Sequence, residues 1–313
     1  MPSITTVTLN PVLDKAFSVP RLEPGTVHRL RPMREDLGGK GINVSRTLRM
    51  LGIPSRIVAF FGGRTGQYME QQLRAAGYEV ISIAVEGETR QNITLLDEAR
   101  DQYTKFNEPG PRVGEDSIAA LQACIRQSVQ LGDIWAFCGS LPPGAPDDLY
   151  AQCIAWVQAS GGRAFLDTSG AALRAGLEAR PFAVKPNSEE ASELLALALS
   201  GDAEHAAAAR QLQQHGIALV AISRGARGIV LAMQDQVWMA IPPPVHARSP
   251  VGAGDAALAG LIWAVCDACE PAEVAARAVA CGTAAAMQEG TGVGDRPLVE
   301  TLLQQVTVTR LRP

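Results

Sequence analysis

Aromatic side chains make up only 5% of the 313 residues, so the interleaved stacking platforms of single-strand nucleic-acid binders are not expected. A dominant charge is missing too: 28 Lys and Arg against 32 Asp and Glu leave a net charge of −4. With a pI near 5.7, a basic nucleic-acid surface is disfavoured. The longest charge-free apolar run, Ala256 to Cys266, lies between Asp255 and Asp267 and falls well short of the roughly 18 residues of a membrane span. No membrane partner is expected. The start, Met1-Pro2-Ser3-Ile4-Thr5, has no basic stretch followed by an apolar one, so export is not expected and a cytoplasmic place is. The six cysteines are dispersed, which argues against a disulfide framework. Cys266 and Cys269 form a CxxC, but no second pair or nearby histidine pair accompanies it, and zinc needs about four ligands.

What the chain has is 47% hydrophobic residues, enough for a large core, arranged as alternating strand-like and helix-like segments. Ile4–Leu9, Ser55–Phe61, Asp133–Cys138, Arg163–Leu166, Phe182–Val184 and Ala218–Ile222 read as short buried strands. Helical patterns lie between and after them, at Gly41–Leu51, Gly66–Ala76, Glu115–Leu131, Asp147–Ser160, Ser188–Leu199, Asp202–His215, Gly254–Ala268 and Ala272–Gln288. Gly52, Gly77 and Gly216 close three of them. The alternation predicts an α/β fold, a mostly parallel central sheet covered by helices on both faces. Two stretches break it, about 12–36 and 88–107, and read as strands of a small sheet acting as a lid over the strand ends. With no linker, repeat or low-complexity segment, the expectation is a single domain over 1–313 carrying that lid.

Several motifs carry chemistry. Gly38-Gly39-Lys40-Gly41-Ile42-Asn43 opens a helix, where glycines admit close backbone approach and the helix end offers free amides. It is not a phosphate loop of the Walker A type, because Gly41 stands where Ser or Thr is required. Gly252-Ala253-Gly254-Asp255-Ala256-Ala257 satisfies the dinucleotide pattern GxGxxA, so a nicotinamide-dependent oxidoreductase is one alternative. That fingerprint needs a strand immediately before it, and Pro242-Pro243-Pro244 and Pro250 crowd the approach. The better reading is an anion-binding nest of successive amides beside a carboxylate, with Asp255 taking the proton of an attacking hydroxyl during phosphoryl transfer. Asn187 and Glu190, three apart at a helix start, suit a capping box and equally the water shell of Mg²⁺. Ser223-Arg224-Gly225-Ala226-Arg227-Gly228 follows a strand and could approach nucleotide phosphates, but on these residues alone the favoured reading is a turn that reverses the strand into Ile229–Met233; Cys138-Gly139-Ser140 could frame a pocket floor.

Taken in order, these motifs resemble the ribokinase-like carbohydrate kinases of the PfkB family, over essentially the whole chain. The resemblance rests on Gly38–Gly62, Thr89-Arg90-Gln91-Asn92, Gly139–Gly144, Asn187-x-x-Glu190 and Ser249–Ile262. Thr8-Leu9-Asn10-Pro11 with Asp14, and Phe106-Asn107-Glu108-Pro109-Gly110-Pro111, are similar to the phosphosugar branch. The resemblance implies a three-layer α/β/α sandwich with a β-sheet lid, and ATP-dependent phosphorylation of a sugar that already bears a phosphate. Lys40, the Asn-Glu-Pro-Gly stretch and Gly294-Asp295-Arg296-Pro297 point to fructose 1-phosphate becoming fructose 1,6-bisphosphate, with fructose 6-phosphate and tagatose 6-phosphate as alternative acceptors. By carry-over, Asp255 is the general base and Gly252, Ala253 and Gly254 the anion hole. Asn187 and Glu190 organise Mg²⁺, and Lys185, Asn187, Ser223, Gly225 and Gly228 lie on the ATP side. Asp14, Gly39, Lys40, Asn43 and Ser140 face the sugar, with Arg90 and Lys105 on its phosphate and Arg29 a further candidate. Three residues depart from the pattern: Arg224 puts an extra cation near the nucleotide edge, Pro250 replaces a frequent Thr, and Ala256 a common Ser. A non-catalytic sugar-phosphate sensor is a further alternative, and the lid's exposed sheet suggests a homodimer.

Overall fold

The computed structural model describes residues 2–311. The chain opens with β1 (Ile4–Thr8), β2 (Val12–Val19) and β3 (Arg31–Gly38), then α1 (Lys40–Met50), β4 (Arg56–Phe61), α2 (Gly63–Ala75) and β5 (Glu79–Ala84). Next come β6 (Arg90–Asp97), β7 (Gln102–Asn107), α3 (Glu115–Ser128), β8 (Ile134–Cys138), α4 (Leu149–Ala159), β9 (Arg163–Asp167), α5 (Gly170–Glu178) and β10 (Ala183–Val184). The last part holds α6 (Ser188–Leu195), α7 (Asp202–Gln214), β11 (Leu219–Ser223), β12 (Ile229–Met233), β13 (Gln236–Ile241), α8 (Ala253–Cys266), α9 (Pro271–Ala286), α10 (Arg296–Leu303) and β14 (Thr307–Leu311).

These strands form a ten-stranded sheet in the order β14-β13-β12-β11-β10-β9-β8-β1-β4-β5 and a separate sheet in the order β3-β2-β6-β7. From β5 to β11 every pairing in the large sheet is parallel. Its inner strands are buried on both faces, as crossover helices require, and successive residues serve opposite cores. On β8, Trp135 and Phe137 pack on the side of α3 and α4, whereas Ile134, Ala136 and Cys138 pack on the side of α1, α8 and α9. Helix α8 is buried along Asp255–Val265, which accounts for its uninterrupted apolar sequence. Among the described residues no helix is long and apolar enough to cross a membrane.

The expected α/β/α sandwich and lid strands are present. The lid pairs β2 with β6 in parallel and β6 with β7 as a hairpin. The reversal from β11 into β12 is as expected; the sequence reading left out β5, α5, β13, α10 and β14, and with them the antiparallel edge beyond β12. The β12–β13 hairpin turns through Gln234 and Asp235, both at positive φ, and lacks the Asn-Gly or Asp-Gly signal that betrays such turns. Helix α6 stops at Leu195, short of the expected Leu199, because Ala196 adopts a left-handed conformation that returns its N–H to the Ser192 carbonyl.

Placement of α1 depends on Gly41. A Cβ there would stand 2.5 Å from Thr8 Oγ1 and 2.9 Å from the Val7 carbonyl oxygen, so only a bare α-carbon lets the helix start rest on β1. Gly41→Ala should therefore lower stability by about 1–3 kcal/mol through overpacking, read from the urea midpoint at unchanged slope. An unshifted midpoint would show that β1 yields at no cost.

Candidate active site

Two glycine-bearing helix starts face each other at the end of β1. Gly39 caps α1 and Gly252 caps α8, the latter at φ +81, a conformation L side chains rarely adopt. Neither cap supplies a side-chain bond to the first-turn amides; in α8 the Ala253 N–H turns back to the Pro250 carbonyl at 3.4 Å, and that of Gly254 remains available to an anion. Asp255 sits in that first turn, 7% exposed. Asn43 Nδ2, from the first turn of α1, donates to its Oδ2 at 2.8 Å. Burial, reinforced by the negative charge of Asp167, raises the Asp255 carboxyl to about 6, against the opposing pull of Asn43, Lys40 and Lys185. The group is mostly ionised at neutral pH yet far more basic than an ordinary aspartate.

Asp167, at the end of β9, is the centre of the charge arrangement. Its carboxylate is 1% exposed and takes Lys40 Nζ on Oδ1 and Lys185 Nζ on Oδ2, each at 2.9 Å. Burial pulls its pKa upward, but the two lysines overcome this and hold it below the usual carboxylate value. The same charge raises the pKa of Lys40. Lys185 also reaches the nest, since a Cβ on Gly254 would lie 3.5 Å from its Nζ. Sequence reasoning named both lysines but missed Asp167. Its signal was an acid closing an apolar strand before Thr168-Ser169-Gly170, where a functional loop belongs.

The nucleotide-side candidates form a second group. Asn187 caps α6: its side chain accepts from the Glu190 N–H at 2.8 Å, and Glu190 Oε2 accepts from the Asn187 N–H at 2.8 Å. The capping box is thus formed, and it leaves Glu190 Oε1 uncommitted. Mg²⁺ keeps much of its water and takes oxygen ligands beside phosphates, so this sparse donor set fits it. Among the described residues no group of three or more His, Cys, Asp or Glu forms a metal cage. Ser223 is drawn to this place by a bridge with Asn187 and by its N–H on the Pro186 carbonyl. Gly225 and Gly228 shape the turn after β11. Arg224 does not put a cation at the nucleotide edge, as the sequence suggested. Its side chain, 4% exposed, runs under the turn to Asp202.

The lid supplies the third group. Asp14 on β2 accepts from Asn92 on β6 at 3.0 Å and lies in the field of Asp36, Arg90 and Lys105. Burial, then Asp36, raises its pKa against the effect of Asn92, Arg90 and Lys105. Arg90 donates to the carbonyls of Asn10 and Glu108, and Asn10 Nδ2 reaches the Pro109 carbonyl and, at 3.4 Å, Ser140 Oγ. Arg90, the 106–111 stretch and Ser140 are thereby gathered around Asn10, a buried residue that sequence reading quoted only as part of a motif. Lys105 is exposed on β7, and Arg29 is exposed outside any strand or helix.

The match to a family model for pfkB family carbohydrate kinases extends over residues 7–297. The chain belongs to the pfkB family of carbohydrate kinases. Within that family it is 36% identical over 311 residues to 1-phosphofructokinase from Rhodobacter capsulatus, covering 99% of this chain and 98% of the relative. It is 34% identical over 310 residues to 1-phosphofructokinase from Vibrio cholerae, covering 99% and 98%. The tetrameric inhibited form of phosphofructokinase-2 from Escherichia coli superposes with a TM-score of 0.90 at 29% identity, over 97% of this chain and 99% of that one. This pfkB kinase has no strand running into its GxGxxA stretch, since residues 242–250 between β13 and the Gly252 turn are irregular, so the oxidoreductase alternative falls. Cys266 and Cys269 are free and pack partly against the core.

Asp167→Asn would leave Lys185, 5% exposed, without a full counter-charge. Breaking such a pair should cost about 3–5 kcal/mol of stability, measured by urea unfolding. A loss below about 1 kcal/mol would show that the lysines find other compensation.

Proposed function

We propose that this pfkB kinase moves the γ-phosphoryl group of ATP to the free primary hydroxyl of fructose 1-phosphate, giving fructose 1,6-bisphosphate and ADP. The observation that carries the transfer chemistry is Asp255, a buried and strengthened base held by Asn43 at the open amide end of α8. The choice of acceptor is supported by near-full-length likeness to enzymes named 1-phosphofructokinase. Fructose 6-phosphate and tagatose 6-phosphate are the alternative acceptors to be compared in the assay.

In the reaction, Asp255 takes the hydroxyl proton as the sugar oxygen bonds to the γ-phosphorus. The bond from that phosphorus to the bridging oxygen breaks, and ADP leaves with the electron pair. The amides of Gly252 and Gly254, that of Ala253 on leaving the Pro250 carbonyl, and the ammonium of Lys185 face the equatorial oxygens, where charge gathers in the transition state. Lys185, Asn187, Ser223, Gly225 and Gly228 line the ATP side, and Asn187 with Glu190 would hold the water shell of Mg²⁺, whose charge neutralises the β- and γ-phosphates. Asp14, Gly39, Asn43 and Ser140 orient the sugar. Arg90, Lys105 and Lys40 supply the cations for the phosphate it already bears, Arg90 from a guanidinium that the Asn10 and Glu108 carbonyls already hold in place.

The lid leaves Ile93 and Phe106, partners in register on β6 and β7, exposed side by side on one face. An exposed apolar sheet with a free edge seeks a partner, and a homodimer through the lid follows from it. Sedimentation at micromolar concentration should show a dimer, and Phe106→Lys should shift it to monomer. A wild-type monomer would remove the lid from this role.

Asp255→Asn should lower turnover by about 10²–10⁴-fold while leaving nucleotide binding intact. A panel of ADP-release assays with fructose 1-phosphate, fructose 6-phosphate, tagatose 6-phosphate and unphosphorylated sugars tests the acceptor. Saturable phosphosugar binding without ADP release from any of them would turn the reading to a sensor. Because the base must be ionised, kcat/KM should rise with pH through a limb near 6 and level off above it. Asn43→Ala removes the bond that lowers this value, so the limb should move to higher pH. A limb left in place would take Asn43 out of that role.

A further inference from the structure

The start of α7 lies on neither substrate, yet it is tied to both segments assigned above to the nucleotide. Asp202, the first residue of the helix, accepts Arg224 Nη1 on Oδ1 at 2.7 Å. The Arg224 guanidinium is buried beneath the 223–228 turn and touches Met239 Sδ at 3.6 Å, while its Nε has no partner. Its own N–H donates to the Gly228 carbonyl at 2.8 Å, so fixing the side chain fixes both limbs of the turn. Arg227 adds a bond from Nη1 to the Ser200 carbonyl at 3.4 Å.

His205, one turn further along α7, is fully buried. Its Nδ1 lies 2.6 Å from the Gly201 carbonyl. A carbonyl only accepts, so Nδ1 carries the proton and Nε2 is left as acceptor for Ser188 Oγ at 2.9 Å. Ser188 follows Asn187 directly at the start of α6, and its Oγ lies 3.4 Å from the Ser223 carbonyl oxygen. One short segment, 200–205, therefore holds the turn after β11 through Arg224 and the Asn187–Glu190 box through Ser188.

We propose that this segment sets the affinity for the nucleotide, with Asp202, Arg224 and His205 as positioning residues that touch no substrate. The assignment rests on the nucleotide side given under the proposed function. It also explains how the chain tolerates a buried arginine: Asp202 is its counter-charge, and the pair works as a clamp. The two parts are coupled, because losing Asp202 leaves a buried cation that must move and drag the turn with it, whereas losing both charges does not.

Equilibrium binding of the magnesium complex of adenylyl imidodiphosphate, by calorimetry, tests this without reference to the acceptor. Asp202→Asn should weaken that binding about tenfold while phosphosugar binding stays within about twofold. Asp202→Asn combined with Arg224→Met should recover most of the loss. Ser188→Ala should weaken nucleotide binding about two- to tenfold. Unchanged nucleotide affinity in Asp202→Asn, parallel loss for nucleotide and phosphosugar, or no recovery in the double variant would each overturn the proposal. If instead the wild type binds nucleotide but releases no ADP with any phosphosugar, the proposed reaction fails and the comparison of affinities still stands.

Discussion

Charge compensation around one buried carboxylate governs this molecule. Asp255 is removed from water at the start of an almost wholly apolar helix, a placement that on its own would drive it to the neutral form. Asn43 and the ammonium groups of Lys40 and Lys185 keep it ionisable, and Asp167 keeps those ammonium groups where they are. Two acids and two lysines sum to zero, so the group is balanced although both acids and Lys185 are buried. Under the proposed function, a polyphosphate would add its negative charge where lysines are already oriented, and little would have to reorganise.

The fold brings this about by converging ends. Strands β1, β8, β9 and β10 run parallel, and α1, α6 and the 138–144 and 167–170 loops leave from the same rim. Helix α8 comes from far along the chain and lies against α1, which puts residues 43 and 255 within a hydrogen bond of each other. The lid strands rise from this rim, with β2 starting immediately after Asn10-Pro11 and β3 leading directly into Gly39, so that Asp14 and Arg90 stand over the same opening.

Much of this was legible before folding was considered. Short buried strands and glycine-closed helices announced the layered sandwich, and the breaks in that rhythm marked the lid, because local period and turn chemistry are written in neighbouring residues. The glycine helix starts and the Asn187–Glu190 spacing were equally plain. Asp167 was not, since an acid at a strand end looks the same whether it meets water or two lysines 127 and 18 residues away in sequence. The antiparallel edge beyond β12 escaped because its hairpin turns on Gln234 and Asp235, which carry no strong signal.

Arg224 shows the division most clearly. From its neighbours it reads as a cation beside a phosphate-binding turn, yet the folded chain buries it under that turn and pairs it with Asp202. By itself the sequence determined the kinds of element, their order, and which residue types had the chemistry for phosphoryl transfer. Tertiary structure alone decided which charges meet, which side chains leave water and in which direction each acid's proton affinity moves. Those quantities depend on distance and burial between segments remote in the chain, and no local pattern encodes them.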